Sequence, residues 1–358
     1  MMRAARATIN LAALRHNFQR VREAAPDSRV LAVIKANAYG HGLTTIAQAL
    51  AEADGFGVAC VNEALLLRAA GTDKPVVSLQ GFKDKEELIE AAARSIEVVV
   101  HADYQLRLLA SSELHYSVGV WLKIDTGMAR LGFEPRRAAS TYRVLCELPQ
   151  VTATPVLMTH LSCADDLTSP CTPRQLALFD RAIDGLPGAR SIANSAGILA
   201  WPNSHREWVR PGIMLYGASP FGDNDAARLG LKPVMTLTAP LLAVKQLNAG
   251  DGIGYAGAWV CPESMRIGVA ATGYADGYPR HATAGTPVLV NGRRTQIIGR
   301  VCMDMLMIDL RGINARPGDQ VTLWGEGLSV DEVARQAGTV GYELLSAVGG
   351  RANTEVSS

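Results

Sequence analysis

Cysteine is scarce in this 358-residue sequence, and its six copies, Cys60, Cys146, Cys163, Cys171, Cys261 and Cys302, form no C-x-x-C pair and no zinc spacing. That excludes a disulfide framework and reads as reduced, mainly buried thiols in a reducing compartment, the cytoplasm, with no metal called for. Aromatics make up 6% and charged residues 19%, with a net charge of +1 and no long run of one sign. Neither a nucleic acid nor an acidic membrane surface is therefore an expected partner. No apolar stretch approaches the length of a membrane span, and no secretory apolar segment, repeat or low-complexity tract stands out. What is present is a 48% hydrophobic fraction, enough for a sizeable core in one large or two medium domains.

Residues 1–22 carry several arginines and no acid, as an organelle transit peptide does. Ala7-Thr8-Ile9, then Asn10, then Leu11, Leu14 and Phe18, also read as a strand, an N-cap and an amphipathic helix, and this reading is preferred.

Short apolar runs recur at 30–34, 56–61, 75–79, 97–100, 118–124, 155–159, 191–193 and 208–210. Helical patterns at 44–53, 63–70, 85–93, 104–111, 137–148 and 174–183 lie between them. Eight buried strands alternating with helices predict an α/β fold, a (β/α)8 TIM-type barrel, over 11–225. A doubly wound sheet is the weaker alternative, because no G-x-G-x-x-G follows the first strand. After a turn-rich segment at 221–225, strand patterns crowd together at 234–237, 241–244, 266–270, 287–290, 296–298, 306–310 and 320–323, with helices at 330–337 and 342–348. This predicts a mainly β domain over 226–358, together with the strand at 1–10.

The first barrel strand ends in Lys35, followed by Ala36-Asn37-Ala38-Tyr39-Gly40-His41-Gly42. A strand that carries an amine into a glycine-bordered loop suits a nucleophilic lysine, since desolvation favours the neutral amine. On this segment alone, a solvated strand end is the better account. In a barrel, however, chemistry gathers where strands end. The fifth strand ends at Lys123 and Asp125-Thr126-Gly127-Met128-Ala129-Arg130, the sixth at His160, the seventh at Asn194-Ser195 and the eighth at Arg210-Pro211-Gly212-Ile213. Each has an ordinary structural explanation, but five such groups at five strand ends form one polar cup. A lysine, an arginine and a phosphate-binding region after strands seven and eight together suggest a Schiff-base enzyme using pyridoxal phosphate.

The chain resembles the alanine racemases, barrel-type pyridoxal-phosphate enzymes, over nearly its whole length. The resemblance rests on the segment from Ala32 to Gly42, on Trp121-Leu122-Lys123-Ile124-Asp125-Thr126-Gly127-Met128, and on Trp208-Val209-Arg210-Pro211-Gly212-Ile213. Gly254-Tyr255-Ala256-Gly257, Gly273-Tyr274-Ala275-Asp276-Gly277-Tyr278-Pro279-Arg280 and Gly299-Arg300-Val301-Cys302-Met303-Asp304 add to it. It implies interconversion of L- and D-alanine by a homodimer with shared active sites. Lys35 would carry the cofactor aldimine, Tyr39, Ser195, Gly212, Ile213 and Tyr342 would hold its phosphate, and Asn194 would also bind the cofactor. Arg210 would face the pyridine nitrogen with His160 beside it, and Arg130 would approach the phenol oxygen. The lysine matching Lys123 is often carbamylated in relatives, which positions the arginine matching Arg130. Tyr255, Met303 and Asp304 would come from the partner subunit, with Arg130, Met303 and Asp304 against the substrate. Asp165, Tyr274, Arg280 and Arg300 match positions lining the substrate entrance.

Racemisation removes a proton from Cα on one face and returns one on the other, which suits two acid/base groups, Lys35 and Tyr255. An arginine at the pyridine nitrogen should leave the ring unprotonated and limit side reactions. A barrel-type decarboxylase would place a carboxylate where Arg210 stands, and a non-catalytic cofactor carrier would lack the β domain. One departure concerns the end of the chain. The family usually finishes in a basic segment with a late aromatic, whereas this sequence ends Gly349-Gly350-Arg351-Ala352-Asn353-Thr354-Glu355-Val356-Ser357-Ser358, which leaves the last strand in question.

Overall fold

A computed structural model describes residues 5–152, 154–222 and 226–357, and it divides into two compact units. The first comprises Phe18–Ala38 and Gly42–Leu215. The second comprises Met1–Asn17, Tyr39–His41 and Tyr216–Ser358. Of the turn-rich segment at 221–225, residues 223–225 lie outside the described residues.

The first unit holds a closed barrel of eight parallel strands: Arg29–Val33, Gly55–Val58, Val76–Ser78, Ile96–Val100, Val120–Lys123, Val156–Met158, Arg190–Ser191 and Trp208–Val209. Pairing of Arg29 with Trp208 and of Val30 with Val209 closes the ring. All eight strands fall on the expected apolar runs, which are continuous because each strand is covered on both faces. Leu31, Val77, Val99, Trp121, Met158 and Trp208 pack into one cluster, with the two indole rings 5.7 Å apart. Since side chains repeat by face every two residues, Lys123, His160 and Arg210 share a face with Trp121, Met158 and Trp208. An apolar plug thus underlies the polar strand ends.

The second unit contains a sheet in the order Met265–Ala270, Leu306–Asp309, Arg293–Ile298, Pro287–Val290, Gln320–Trp324, Met235–Leu247, Arg6–Asn10, Asn353–Ser357. A further pairing of Met265–Ala270 with Met235–Leu247 closes the circuit. The sequence splits Met235–Leu247 at Pro240, which has no N–H to give a ladder. The strand instead runs through, because it changes partner there. Residues 237–240 pair with Gln320–Trp324 and residues 241–247 with Met265–Ala270, with register shifts on either side. Proline is tolerated at such an irregularity, and its carbonyl still accepts from Ala271 N at 3.0 Å.

The terminal strand does form. Asn353–Ser357 pairs in parallel with Arg6–Asn10 from Arg6↔Asn353 to Asn10↔Ser357. The N-terminal strand and helix reading also holds: Asn10 Oδ1 accepts from Ala13 N at 2.9 Å and opens the helix Leu11–Ala24. Among the described residues, no helix is long and apolar enough to cross a membrane.

Candidate active site at the barrel strand ends

Arg210, 4% exposed, is the most constrained side chain of the cup. Its Nη1 donates to Ser191 Oγ at 2.6 Å, and its Nη2 to Thr159 O at 2.7 Å and Ile192 O at 3.1 Å. The ends of the sixth, seventh and eighth strands therefore share one guanidinium. Burial pushes its pKa down to about 10, so it remains a cation at neutral pH. Nη2 also lies 3.3 Å from His160 Nδ1. Burial first, then the Arg210, Lys123, Arg130 and Lys35 charges, hold the His160 ring well below the ordinary imidazole range. His160 is neutral, with Nδ1 as the acceptor toward Arg210.

Lys35 follows the first strand, and its amine pKa is lowered by burial and by the Arg130 charge, while Glu63 opposes the shift. After it, the backbone does what no sequence pattern announced. Ala36, Asn37, Ala38 and Tyr39 all have φ of 53° or 54°, a left-handed turn that costs roughly 1–2 kcal/mol per residue. Glu63 ties this turn down. Its Oε1 accepts from Ala36 N and its Oε2 from Ala59 N, both at 2.7 Å. Asn37 Oδ1 adds a bond from Leu43 N at 2.9 Å. In the sequence Glu63 is marked only as a glutamate at the third position of a helix, where such a side chain reaches back to preceding backbone N–H groups.

Lys123 is 7% exposed, and burial, Arg210, Arg130 and Lys35 together push its pKa down to about 8, against Asp125. Asp125 Oδ1 accepts from Gly127 N, Met128 N and Ala129 N at 2.9, 2.9 and 3.1 Å, which fixes the loop that leads to Arg130. Gly132 closes that loop with φ +134°, and a Cβ there would lie 2.6 Å from Asp125 N. His101, also missed from the sequence, joins the cup after the fourth strand. Its Nε2 lies 3.1 Å from Gln80 O, and burial lowers its pKa with a further contribution from Lys123.

After strands seven and eight, Ser195 Oγ is buried and accepts from Gly212 N at 2.9 Å and Met214 N at 3.4 Å. Asn194 Oδ1 caps the helix Ser195–Ala200 by accepting from Gly197 N at 2.9 Å, and its Nδ2 donates to Leu161 O at 3.3 Å. Gly212 and Ile213 are buried, and Asp165 is exposed on the loop after the sixth strand.

The second unit gathers Tyr39, His41, Tyr216 and Tyr342. Tyr39 stacks on Tyr216 at 4.7 Å and lies 6.0 Å from Tyr342, and His41 lies 4.6 Å from Tyr216. Burial raises the Tyr39 phenol pKa, so it stays protonated and available as a donor. Elsewhere in this unit, Tyr255, Tyr274, Arg280, His281 and Arg300 line an open cavity of about 710 Å³, and Tyr255 is 69% exposed. Met303 is also exposed. Asp304 Oδ1 accepts from Arg351 Nη2 at 2.7 Å.

A barrel with two amines, two imidazoles and two guanidiniums at its strand ends defines an enzyme of the (β/α)8 class, its chemistry set by a cationic cup. Two family models cover nearly all of the chain: alanine racemase, N-terminal domain, over residues 9–220, and alanine racemase, C-terminal domain, over residues 234–356. The alanine racemase of Thioalkalivibrio sulfidiphilus is 55% identical over 358 residues, covering 99% of each chain. That of Halorhodospira halophila is 51% identical over 347 residues, covering 96% of this chain and 95% of the other. The crystal structure of biosynthetic alanine racemase from Pseudomonas aeruginosa superposes with a TM-score of 0.97 at 45% identity over 100% of both chains. That from Acinetobacter baumannii gives 0.93 at 37%, covering 99% of this chain and 100% of the other. The chain belongs to the alanine racemase family.

Proposed function

We propose that this protein interconverts L-alanine and D-alanine with pyridoxal 5′-phosphate, in a homodimer whose two active sites are each completed by the second copy. The observation that carries the reading is a Lys35 amine desolvated among further cations, in a chain that matches alanine racemases from end to end.

The residues fit the cofactor. Lys35, Lys123, Arg130 and Arg210 all press on His160, while among the described residues Asp125 and Glu63 oppose the shifts of the two lysines. A cup so short of negative charge suits a ligand with a phosphate and a phenol oxygen. Bound, the cofactor would supply a conjugated ring that draws electrons from Cα of the amino acid joined to it and so weakens the Cα–H bond.

The chain's own residues do the rest. Lys35 holds the cofactor and exchanges a proton with Cα at Nζ, a role its lowered pKa favours. Tyr255 of the second copy exchanges the proton on the opposite face. Arg210 would hold the ring nitrogen and, as a cation at neutral pH, would give it no proton. His160, neutral beside it, keeps that environment from acquiring a further charge. Ser195, Gly212 and Ile213, with Tyr39 and Tyr342, would bind the phosphate, and Asn194 would fix the helix that carries Ser195. Arg130 would hold the phenol oxygen and the substrate, and Lys123, if carbamylated, would orient it. Met303 and Asp304 of the second copy limit the side chain, although one methylene discriminates by only about 1–3 kcal/mol. Asp165, Tyr274, Arg280 and Arg300 line the entrance.

The test is a chiral assay. With added pyridoxal phosphate, L-alanine should yield D-alanine and the reverse, and Lys35→Ala should lose both the rate and the borohydride-reducible linkage. Carbon dioxide release from diamino acids without racemisation would overturn the reading.

A further inference from the structure

The loop after the sixth barrel strand brings two of the six cysteines together. Cys163 Sγ and Cys171 Sγ each lie 3.4 Å from Ser162 Oγ, so one hydroxyl bridges both thiols. Both are half-buried and therefore open to small solutes.

The chain between them is already folded back on itself. Asp166 N donates to Cys163 O at 3.2 Å. Asp166 Oδ1 accepts from Thr168 N at 3.0 Å, Thr168 Oγ1 at 2.7 Å and Ser169 N at 3.2 Å. Cys171 N then donates to Ser169 Oγ at 3.2 Å. The entropy of bringing the sulfurs together is thus largely met by the fold.

We propose that Cys163 and Cys171 form a redox-convertible dithiol site, which low-molecular-weight disulfides such as oxidised glutathione close to an internal disulfide. One cysteine thiolate attacks a sulfur of the small disulfide, forming a mixed disulfide and releasing one small thiolate. The other cysteine thiolate attacks the protein sulfur of that mixed disulfide and releases the second. The protein loses two electrons, the small disulfide gains them, and the two cysteine protons end on the two released thiols. The change reaches the strand end through Ser162. Its hydroxyl donates to Gln175 Oε1 at 3.1 Å, and Gln175 Nε2 donates to His160 O at 3.1 Å and Thr126 Oγ1 at 3.3 Å.

The experiment equilibrates the full-length protein in glutathione buffers of rising oxidised fraction, followed by acid quenching, alkylation and peptide mass spectrometry. A linked Cys163–Cys171 peptide should appear, two hydrogens lighter than its reduced parts and reversed by dithiothreitol. Cys163→Ser and Cys171→Ser should each retain glutathione on the remaining thiol, since no second thiol displaces it. The proposal is overturned if native wild-type protein ends as glutathione adducts without the internal link, or if no link forms at any buffer ratio.

Discussion

Arg210 Nη2 stands 3.3 Å from His160 Nδ1 while donating to two strand-end carbonyls. The imidazole therefore faces a guanidinium that cannot turn away, and it stays neutral where a free histidine would take up a proton. An unfolded histidine titrates near pH 6.5, and the folded one titrates well below that. Between the two values the unfolded state binds more protons, so stability rises with pH there. The folded state carries no penalty above about pH 6.5 and loses stability as the pH falls below it. Urea unfolding from about pH 7.5 to about pH 5 should show this loss in the wild type. His160→Asn should flatten it, and parallel curves for the two proteins would contradict the assignment.

Lys123 is expected to be reactive for a related reason. With its pKa pushed down to about 8 among other cations, much more of it is neutral amine at physiological pH than for a free lysine. Carbamylation by dissolved carbon dioxide would turn a cation in a cationic cup into an anion. Bicarbonate should therefore raise the thermal midpoint of the wild type by a few degrees and leave Lys123→Met unchanged. Equal responses of the two proteins would rule out Lys123 as the modified group.

Glu63 is expected to set the geometry of the Lys35 loop without touching substrate. Removing it leaves two backbone N–H groups without their acceptor. Ala36 is exposed and its N–H can turn to water, whereas the part-buried Ala59 N–H cannot do so as readily. Glu63→Ala should therefore destabilise the protein by about 1–3 kcal/mol. It should also lower kcat for alanine, with Glu63→Gln intermediate because it keeps one acceptor. Chemical denaturation and steady-state rates measure both effects. An unchanged stability would remove the anchoring role.

Gly273 packs where no side chain fits, because a Cβ there would fall inside the backbone oxygens of Cys302 and Met303. Gly273→Ala should displace the segment carrying Met303 and cost about 1–3 kcal/mol. On the proposed function it should also raise KM for alanine. A variant with wild-type stability and KM would show that the segment tolerates the shift.

The barrel and the cup were legible because strand period and strand end are sequence properties. Each of Trp121–Lys123, Met158–His160 and Trp208–Arg210 places an apolar plug residue and a polar group two positions apart on one face. What the sequence could not announce depends on contacts between distant segments. Glu63 reads as an ordinary helix glutamate until Ala36 N and Ala59 N are beside it. The left-handed turn at Ala36–Tyr39 contradicts the local preference of two alanines and a tyrosine. His101 follows the strand Ile96–Val100, which is aliphatic but for Glu97, and nothing marks it as a neighbour of Lys123. Pro240 argues for a break that a change of strand partner removes. Cys163 and Cys171, eight positions apart, match no spaced motif and meet only because the loop between them folds back.

The central claim, that Lys35 and Tyr255 act together across two copies, is tested most directly by mixing inactive variants. Lys35→Ala and Tyr255→Ala homodimers should each be nearly inactive. If each site takes Lys35 from one chain and Tyr255 from the other, a mixed dimer has one site with both residues intact. Unfolding and refolding the two variants together in equal amounts should then restore about a quarter of wild-type alanine racemisation, since about half the dimers are mixed and each carries one working site of two. A mixture as inactive as its parents, with mixed dimers demonstrated by mass, would contradict it.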